Sequence, residues 1–505
     1  MYVRRKRNRS GTTSVQVIEK KLGKNIVVAT IGCSSESSEI DSFEREAKSL
    51  IKNQQSQLEL DLTATQKDKI IENYLKNETT RRIKAVGPEL VLGKIFDQIG
   101  FSKIKEKLFK DIVLARLTYP VSKLKTVEYL FHHKKIEIEP SRVYRFLDRL
   151  NNKYKATVEQ ISYEYTKTIL KNIQIVFYDM TTLYFESEDE DDLRKIGFSK
   201  DGKFQNPQIL LGLLIGENGY PIGYDIFEGN TFEGHTLIPT IQNIQRKYGF
   251  ANPIIVADSG LLSKLNLTLL QEQKYLFILG ARIKNESSEL KSKILAATKS
   301  LSDGESAVID KIDGTKLIIN YSSKRAKKDA ANREKGLLRL NQKIKSGKLT
   351  KQSIHNRGYN KFLKLEGSIN VSIDQSKIGE DQSWDGLKGF VTNSKLSAAS
   401  VIANYQQLWK IEQAFRISKT DLRIRPIFHR KKERIEAHIC IAFVAYTVYK
   451  ELERLLIKNK IPLSPQKAIE LTKTIYSIDF KLPDSLKTLT AFGDLSDSQK
   501  LLLKI

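Results

Sequence analysis

The run IQIVFYDMT, residues 173–181, decides the fold class: it is apolar and largely β-branched until a single acid, Asp179, interrupts it. Such a run reads as a strand buried on both faces, and aspartate is depleted in strands, so Asp179 asks for a reason. Alone, Asp179 reads equally as a hydrogen-bonded strand-end residue beside Thr181 and Thr182. Downstream, PQILLGLLIG (207–216) and YPIGYDIFEG (220–229) read as a hairpin around ENG. A helix through TLIPTIQNIQRKYG, a strand NPIIVAD ending on Asp258, a helix LLSKLNLTLLQEQ and a strand KYLFILGARI follow. The order is strand, strand, strand, helix, strand, helix, strand. It predicts an α/β fold with a ribonuclease-H-like mixed sheet, in which an antiparallel hairpin extends the first strand and right-handed crossovers add parallel strands.

In that sheet the middle of the first strand and the end of the fourth lie side by side, which pairs Asp179 with Asp258. The plain alternative for Asp258 is a turn or helix N-cap before SGLLSKL. A third acid stands in YQQLWKIEQAFRISK (405–419), expected within one helix from about Leu396 to Lys419. At about 100° per residue, Tyr405, Trp409, Glu412, Arg416 and Lys419 share a stripe, beside an apolar stripe of Leu408, Ile411, Phe415 and Leu422. A surface Glu412–Arg416 pair is the bland reading. Metal-assisted phosphodiester chemistry instead needs carboxylates converging on two divalent ions. Oxygen-only ligation by Asp179, Asp258 and Glu412 suits two Mg²⁺ or Mn²⁺ ions, and Cys33 and Cys440 lack the CxxC or His partners of a zinc site.

The 505 residues carry 85 Lys and Arg against 59 Asp and Glu, a net +26. The excess is dispersed, so the expected partner is a polyanion, either nucleic acid or an anionic membrane surface. No apolar run reaches spanning length, the basic start MYVRRKRNRSGTTS lacks a signal-type apolar core, and two cysteines suit a reducing setting, so a cytoplasmic, nucleoid-associated protein is expected.

The domain plan expected is a small basic β/helical element over 1–60, a helical DNA-binding region over 61–165, and a catalytic core over 166–283 and 396–458. That core is interrupted by a β-rich, basic insertion over 284–395 and followed by a helical C-terminus over 459–505. Within 61–165, VSKLKTVEYLFHHKK and SRVYRFLDRL imitate a helix-turn-helix, with Arg142, Tyr144 and Arg145 turned toward a DNA groove. The basic stretch from Arg325 to Lys348 reads either as a solvated helical hairpin or as a DNA-backbone contact. The acidic run ESEDEDD (186–192) is expected to be a disordered solvated loop, and His235 and His438 to be structural.

Together these motifs resemble the DDE transposases of bacterial insertion sequences, specifically the group with a Tyr-x2-Arg-x3-Glu-x6-Lys signature. Tyr405, Glu412 and Lys419 stand at that spacing, Asp179 and Asp258 match the first two acids, and Gly229-Asn230 with His235-Thr236 match the block after the first Asp. The resemblance spans about 170–460 and departs at Leu408, where the signature has Arg; Arg416 is the candidate substitute. It implies Mg²⁺-dependent cleavage of DNA ends and strand transfer, binding to terminal inverted repeats and target duplex, and a homodimer on DNA. Tyr405, Arg416 and Lys419 would then touch DNA, with Trp409 stacking on a displaced base. Two rivals remain: a structure-selective nuclease on the same fold, and a DNA-binding regulator that has lost its chemistry.

Overall fold

The computed structural model describes residues 1–21, 23–58, 81–249, 253–346, 358–366, 370–481 and 488–505. The helical expectation for 61–80 and the end of the basic stretch at Lys348 lie outside these residues. The chain forms two compact units, Met1–Arg81 with Phe480–Lys487, and Arg82–Asp479 with Thr488–Ile505.

In the first unit, β1 (Tyr2–Arg7), β2 (Thr13–Lys21) and β3 (Lys24–Ser34) form an antiparallel sheet in chain order, covered by α1 (Ser37–Leu58). Val15 and Val17 pack against Ile40 and Ala47. The basic start is therefore no loose arm. It is a strand paired to β2, and Arg5 donates to Asp41 (2.7 Å) and Glu44 on α1.

The second unit starts with β4 (Arg81–Ala85) and five helices: α2 (Lys94–Ile99), α3 (Lys107–Thr118), α4 (Lys123–Lys134), α5 (Pro140–Arg149) and α6 (Lys155–Leu170). The sheet follows, with β5 (Ile175–Tyr184), β6 (Gln208–Ile215) and β7 (Pro221–Glu228), then α7 (Leu237–Tyr248), β8 (Ile254–Ala257), α8 (Lys264–Glu272) and β9 (Leu276–Ala281). β5 pairs antiparallel with β6, β6 with β7, and parallel with β8, which pairs parallel with β9. This is the strand arrangement that the order of runs predicts.

The region 284–395 departs from expectation. After α9 (Ser288–Thr298), the strands β10 (Ser306–Asp310), β11 (Lys316–Tyr321) and β14 (Leu387–Thr392) continue the same sheet, giving eight strands in the order β10-β11-β14-β9-β8-β5-β6-β7. β14 returns to pair antiparallel with β9, Gly389 opposite Ala281. What sits apart is smaller: α10 (Ser323–Lys345), the hairpin of β12 (Leu363–Glu366) and β13 (Asn370–Ile373), and α11 (Gln375–Gln382), around Leu340, Phe362, Leu363 and Ile378.

The single helix expected from Leu396 to Lys419 is interrupted. It runs as α12 (Ala398–Gln406) and α13 (Trp409–Arg416), then a π-helical turn over Ile417–Asp421. Between them Leu408 N bonds Tyr405 O and Ile411 N bonds Leu408 O, an i→i−3 ladder. A 3₁₀-type turn rotates about 120° per residue instead of about 100°, so the stripe shears. Tyr405 turns into the core while Trp409, Glu412 and Arg416 face solvent.

α14 (Lys432–Lys458) is buried along most of its length and packs on α3, α5, α6 and β7. Arg434 forks onto Asp148 (2.7 and 2.9 Å), Lys155 pairs with Glu436 (2.7 Å), and the Ser162 and Thr447 hydroxyls meet in the core at 3.0 Å. The boundary at 165 thus cuts a shared core, and the helices before it have no separate one. On α5, Val143, Phe146 and Leu147 are buried, and Arg142 and Arg145 are exposed. The stretch after α14 is not helical throughout as expected: between α15 (Pro465–Lys473) and α16 (Asp497–Leu503) lie β15 (Tyr476–Lys481) and β16 (Thr488–Phe492), which join β4 in a three-stranded sheet. The acidic run is ordered at its end: Asp191 accepts from the Leu193 and Arg194 amides and from Arg194 Nε (2.7 Å), because a carboxylate facing a row of free N–H groups is held.

Candidate active site

Tyr178 lies level with Ala257 in the parallel β5–β8 pair, so Asp179 in β5 stands beside Asp258, the residue immediately past the end of β8. Asp179 keeps a quarter of its side chain exposed and accepts from the Met180 amide at 2.7 Å. Burial pushes its pKa up to about 6; Lys200 opposes the rise, and the charges of Asp258 and Glu233 add to it. Lys200 does not neutralise the pair. Its Nζ is 3.9 Å from Asp179 Oδ1, while it donates to Met180 O (2.8 Å) and pairs with Glu233 (3.0 Å). Two neighbouring carboxylates with an incomplete counter-charge fit a divalent cation.

The loop bearing Lys200 is drawn close by glycines. A Cβ at Gly229 would collide with the carbonyl oxygens of Gln208 and Lys195, and one at Gly197 with Gly229 O. Thr236, fully buried, accepts from Tyr178 OH (2.9 Å), donates to Glu233 O (2.7 Å) and touches Met180 Sδ, joining the Glu233–His235 turn to the strand under Asp179.

Tyr405 is buried and donates its hydroxyl to Asp258 Oδ1 at 2.9 Å. Gly280 makes this possible, because a methyl there would overlap the hydroxyl. Lys388 Nζ lies 4.5 Å from the Tyr405 ring centre. Burial first, then the charge of Arg325, lower the Lys388 pKa, against opposite pulls from Asp258 and Glu412. A cavity of about 460 Å³ opens beside Asp258, lined by Arg282, Lys284, Arg325, Lys388 and Tyr405 among others. Arg325, at the start of the basic helix α10, thus reaches this cavity.

Glu412 lies on the exposed face of α13, and its charge acts on Lys388 and Tyr405, the same two groups that sense Asp258. Among the described residues no three His, Cys, Asp or Glu side chains are gathered tightly enough to hold a metal ion. The structure therefore brings Asp179 and Asp258 together and leaves Glu412 at their edge. Trp409 is 55% exposed and makes no core contact of the kind Tyr405 does. Lys419 is held by Asp201 (3.2 Å), which Arg425 also pairs, and burial lowers its pKa. Lys200, Glu233 and Lys388 have no counterpart among the residues picked from sequence. The sequence signal for Lys200 is its place in the GFSKDGKF block that follows the first acid.

The sequence pattern of the Transposase DDE domain matches residues 171–448, more than half of the chain and all three acids. The chain belongs to this transposase family. No curated protein matches it. Among solved structures, the cryo-EM structure of a piggyBac transposase synaptic complex with hairpin DNA aligns over 76% of each chain at 9% identity, with a TM-score of 0.38. As a transposase of the DDE family the protein is classed with enzymes acting on DNA. Among the described residues no helix is long and apolar enough to cross a membrane.

Proposed function

We propose that this transposase cleaves the phosphodiesters at the ends of its insertion sequence and joins the freed 3′-hydroxyls to target DNA, on a ribonuclease-H-like sheet. The observation that carries the reading is the pairing of Asp179 in β5 with Asp258 just past the end of the parallel strand β8, the first raised to about 6 with Lys200 only partly offsetting the rise. Asp179, Asp258 and Glu412 would hold two Mg²⁺ or Mn²⁺ ions, which would activate the attacking oxygen and stabilise the leaving one. Tyr405 fixes the orientation of Asp258, and Lys200 ties the loop after β5 to the strand beneath Asp179. Lys388 and Arg325 offer positive charge to backbone phosphates beside Asp258, and Trp409 offers an exposed ring for a displaced base. Arg416 faces solvent on the Glu412 helix, and Lys419 would exchange Asp201 for a phosphate. Arg142 and Arg145 present exposed guanidinium groups to duplex DNA. Two ends must meet, so the working form is at least a homodimer on DNA.

The test is a labelled element end incubated with target duplex and Mg²⁺. Nicked ends and joined product are expected; cutting without joining would favour the nuclease reading, and neither product would favour the silent regulator.

The basic helix α10 gives a second expectation. Arg333 is unavailable to DNA, being buried and forked onto Asp385. Lys324, Lys327, Lys328, Lys335 and Lys343 are exposed. Replacing these five by Gln should weaken end binding at physiological salt by roughly tenfold or more and flatten the salt slope, since each neutralised phosphate releases counterions. An unchanged affinity and slope, read by fluorescence anisotropy at several salt concentrations, would make this helix a solvated face.

A further inference from the structure

A cavity of about 800 Å³ opens away from the carboxylates, walled by the start of α4, by Tyr144 of α5 and by the segment 423–434 that leads into α14. It shares no lining residue with the cavity beside Asp258, and no acid lines it. Its base holds two cations, Arg116 and Lys123, each only 5% exposed. Arg116 spends its guanidinium on the carbonyls of Leu422 and Arg423, at 3.3 Å each. Lys123 has no hydrogen-bond or ion-pair partner among the described residues. Two of the rim cations are neutralised elsewhere, Arg425 by Asp201 and Arg434 by Asp148. Arg430 and Lys431 are exposed on the rim and form no ion pair among the described residues, although the charge of Lys431 reaches Asp148, which is already forked by Arg434.

Buried like charges without an anion are costly, and a chain retains them where a ligand supplies the missing charge. Burial beside Arg116 drives the Lys123 ammonium well down from its ordinary range, which a bound anion would reverse. The free amides at the start of α4, where Ser122 caps Lys125 N, add to the same positive field. The remaining wall is aromatic. Phe428 is 64% exposed, and Tyr144 packs on the ring of His429 beneath the Arg434 guanidinium. A mouth with cations at its base and an unburied aromatic ring at its edge suits an anion that carries a flat ring, and the volume lies in the range of small-molecule sites.

We infer that this cavity binds a nucleoside phosphate, with its phosphates on Lys123, Arg430 and Lys431 and its base against Phe428. The nucleotide comes either free from solution or as the 5′-terminal nucleotide of a DNA strand, and both present the same chemistry. This site stands apart from the carboxylates and does not depend on the reading given to them.

The test uses the full chain in EDTA, so that no divalent ion bridges phosphate to Asp179 or Asp258. Adenosine triphosphate, inorganic pyrophosphate and a 5′-phosphorylated six-nucleotide strand are titrated calorimetrically, alone and in competition. Pyrophosphate should displace adenosine triphosphate. Lys123→Met, which keeps the volume and removes the charge, should weaken every probe by about tenfold or more. Because that variant alters a buried position, the exposed double variant Arg430→Gln/Lys431→Gln should weaken them in the same order without touching the core. Phe428→Ala should weaken the triphosphate and the strand by roughly tenfold and leave pyrophosphate unchanged. Tighter binding of the triphosphate assigns the site to free nucleotide, and tighter binding of the strand assigns it to a DNA terminus. Absence of binding, or binding that Lys123→Met and the rim variant both leave unchanged, overturns the site. Equal effects of Phe428→Ala on pyrophosphate and triphosphate overturn the nucleoside assignment.

Discussion

Asp179→Asn, Asp258→Asn and Glu412→Gln should each cut and join a labelled element end about a thousandfold more slowly than the parent, with end binding intact. Each exchange keeps side-chain size and removes one ligand charge. Asn at 258 still accepts the Tyr405 hydroxyl through its amide oxygen, so the local hydrogen bond survives and only the charge is lost. A loss of about 4 kcal/mol of transition-state stabilisation corresponds to roughly a thousandfold in rate, within what metal-assisted charge stabilisation supplies. The three variants should fail alike, and pairs of them should fail no worse, because ligands of one metal pair act as a unit. Glu412 is the sharpest case. It is exposed, and its charge acts on Lys388 and Tyr405, the neighbours it shares with Asp258. Cleavage at parental rate by Glu412→Gln would remove that residue from the site and leave the Asp179–Asp258 pair. Parental rates from all three would end the transposition mechanism proposed for this protein.

The central sheet was legible because buried strands write themselves as unbroken apolar runs: IQIVFYDMT and ILLGLLIG became β5 and β6, and Asp179 and Asp258 met as strand order required. Pairing across long stretches of chain leaves no local mark. β14 joins β9 only after α9, two strands, the basic helix and a hairpin have intervened, so the sequence looks interrupted where the sheet continues. The break in the last helix was equally silent. Gln407 and Leu408 are neither Pro nor Gly, and a tightening to i→i−3 bonds needs neither, yet it turned Tyr405 from a surface residue into the partner of Asp258. The block that carries Lys200 is visible in the sequence, but the position of its side chain depends on close approach at Gly197 and Gly229, which leaves no periodic mark.

Asp179→Asn should also make the metal-free protein more stable at pH 7, a result opposite in sign to its effect on activity. The Asp179 pKa of about 6 lies above the ordinary aspartate value near 4, with burial as the main cause. Between about pH 4 and pH 6 the folded carboxyl keeps a proton that the unfolded one has lost. The folded state binds more protons there, so stability falls as pH rises through that window. Above it, folding carries the full cost of the buried charge. Asn carries none, and the expected gain at pH 7 in EDTA is on the order of 2 kcal/mol, shrinking toward zero near pH 4. Asp225, held near 6 mainly by burial, contributes its own slope to both proteins, so the difference between them isolates Asp179. Denaturant titrations at pH 4 and pH 7 measure it. Adding Mg²⁺ should then stabilise the parent and not the variant, because a ligand bound only by the folded state raises its stability. A variant less stable than the parent at pH 7 in EDTA would mean that the Asp179 charge itself stabilises the fold, through Lys200 and the Met180 amide, and is not kept for a cation.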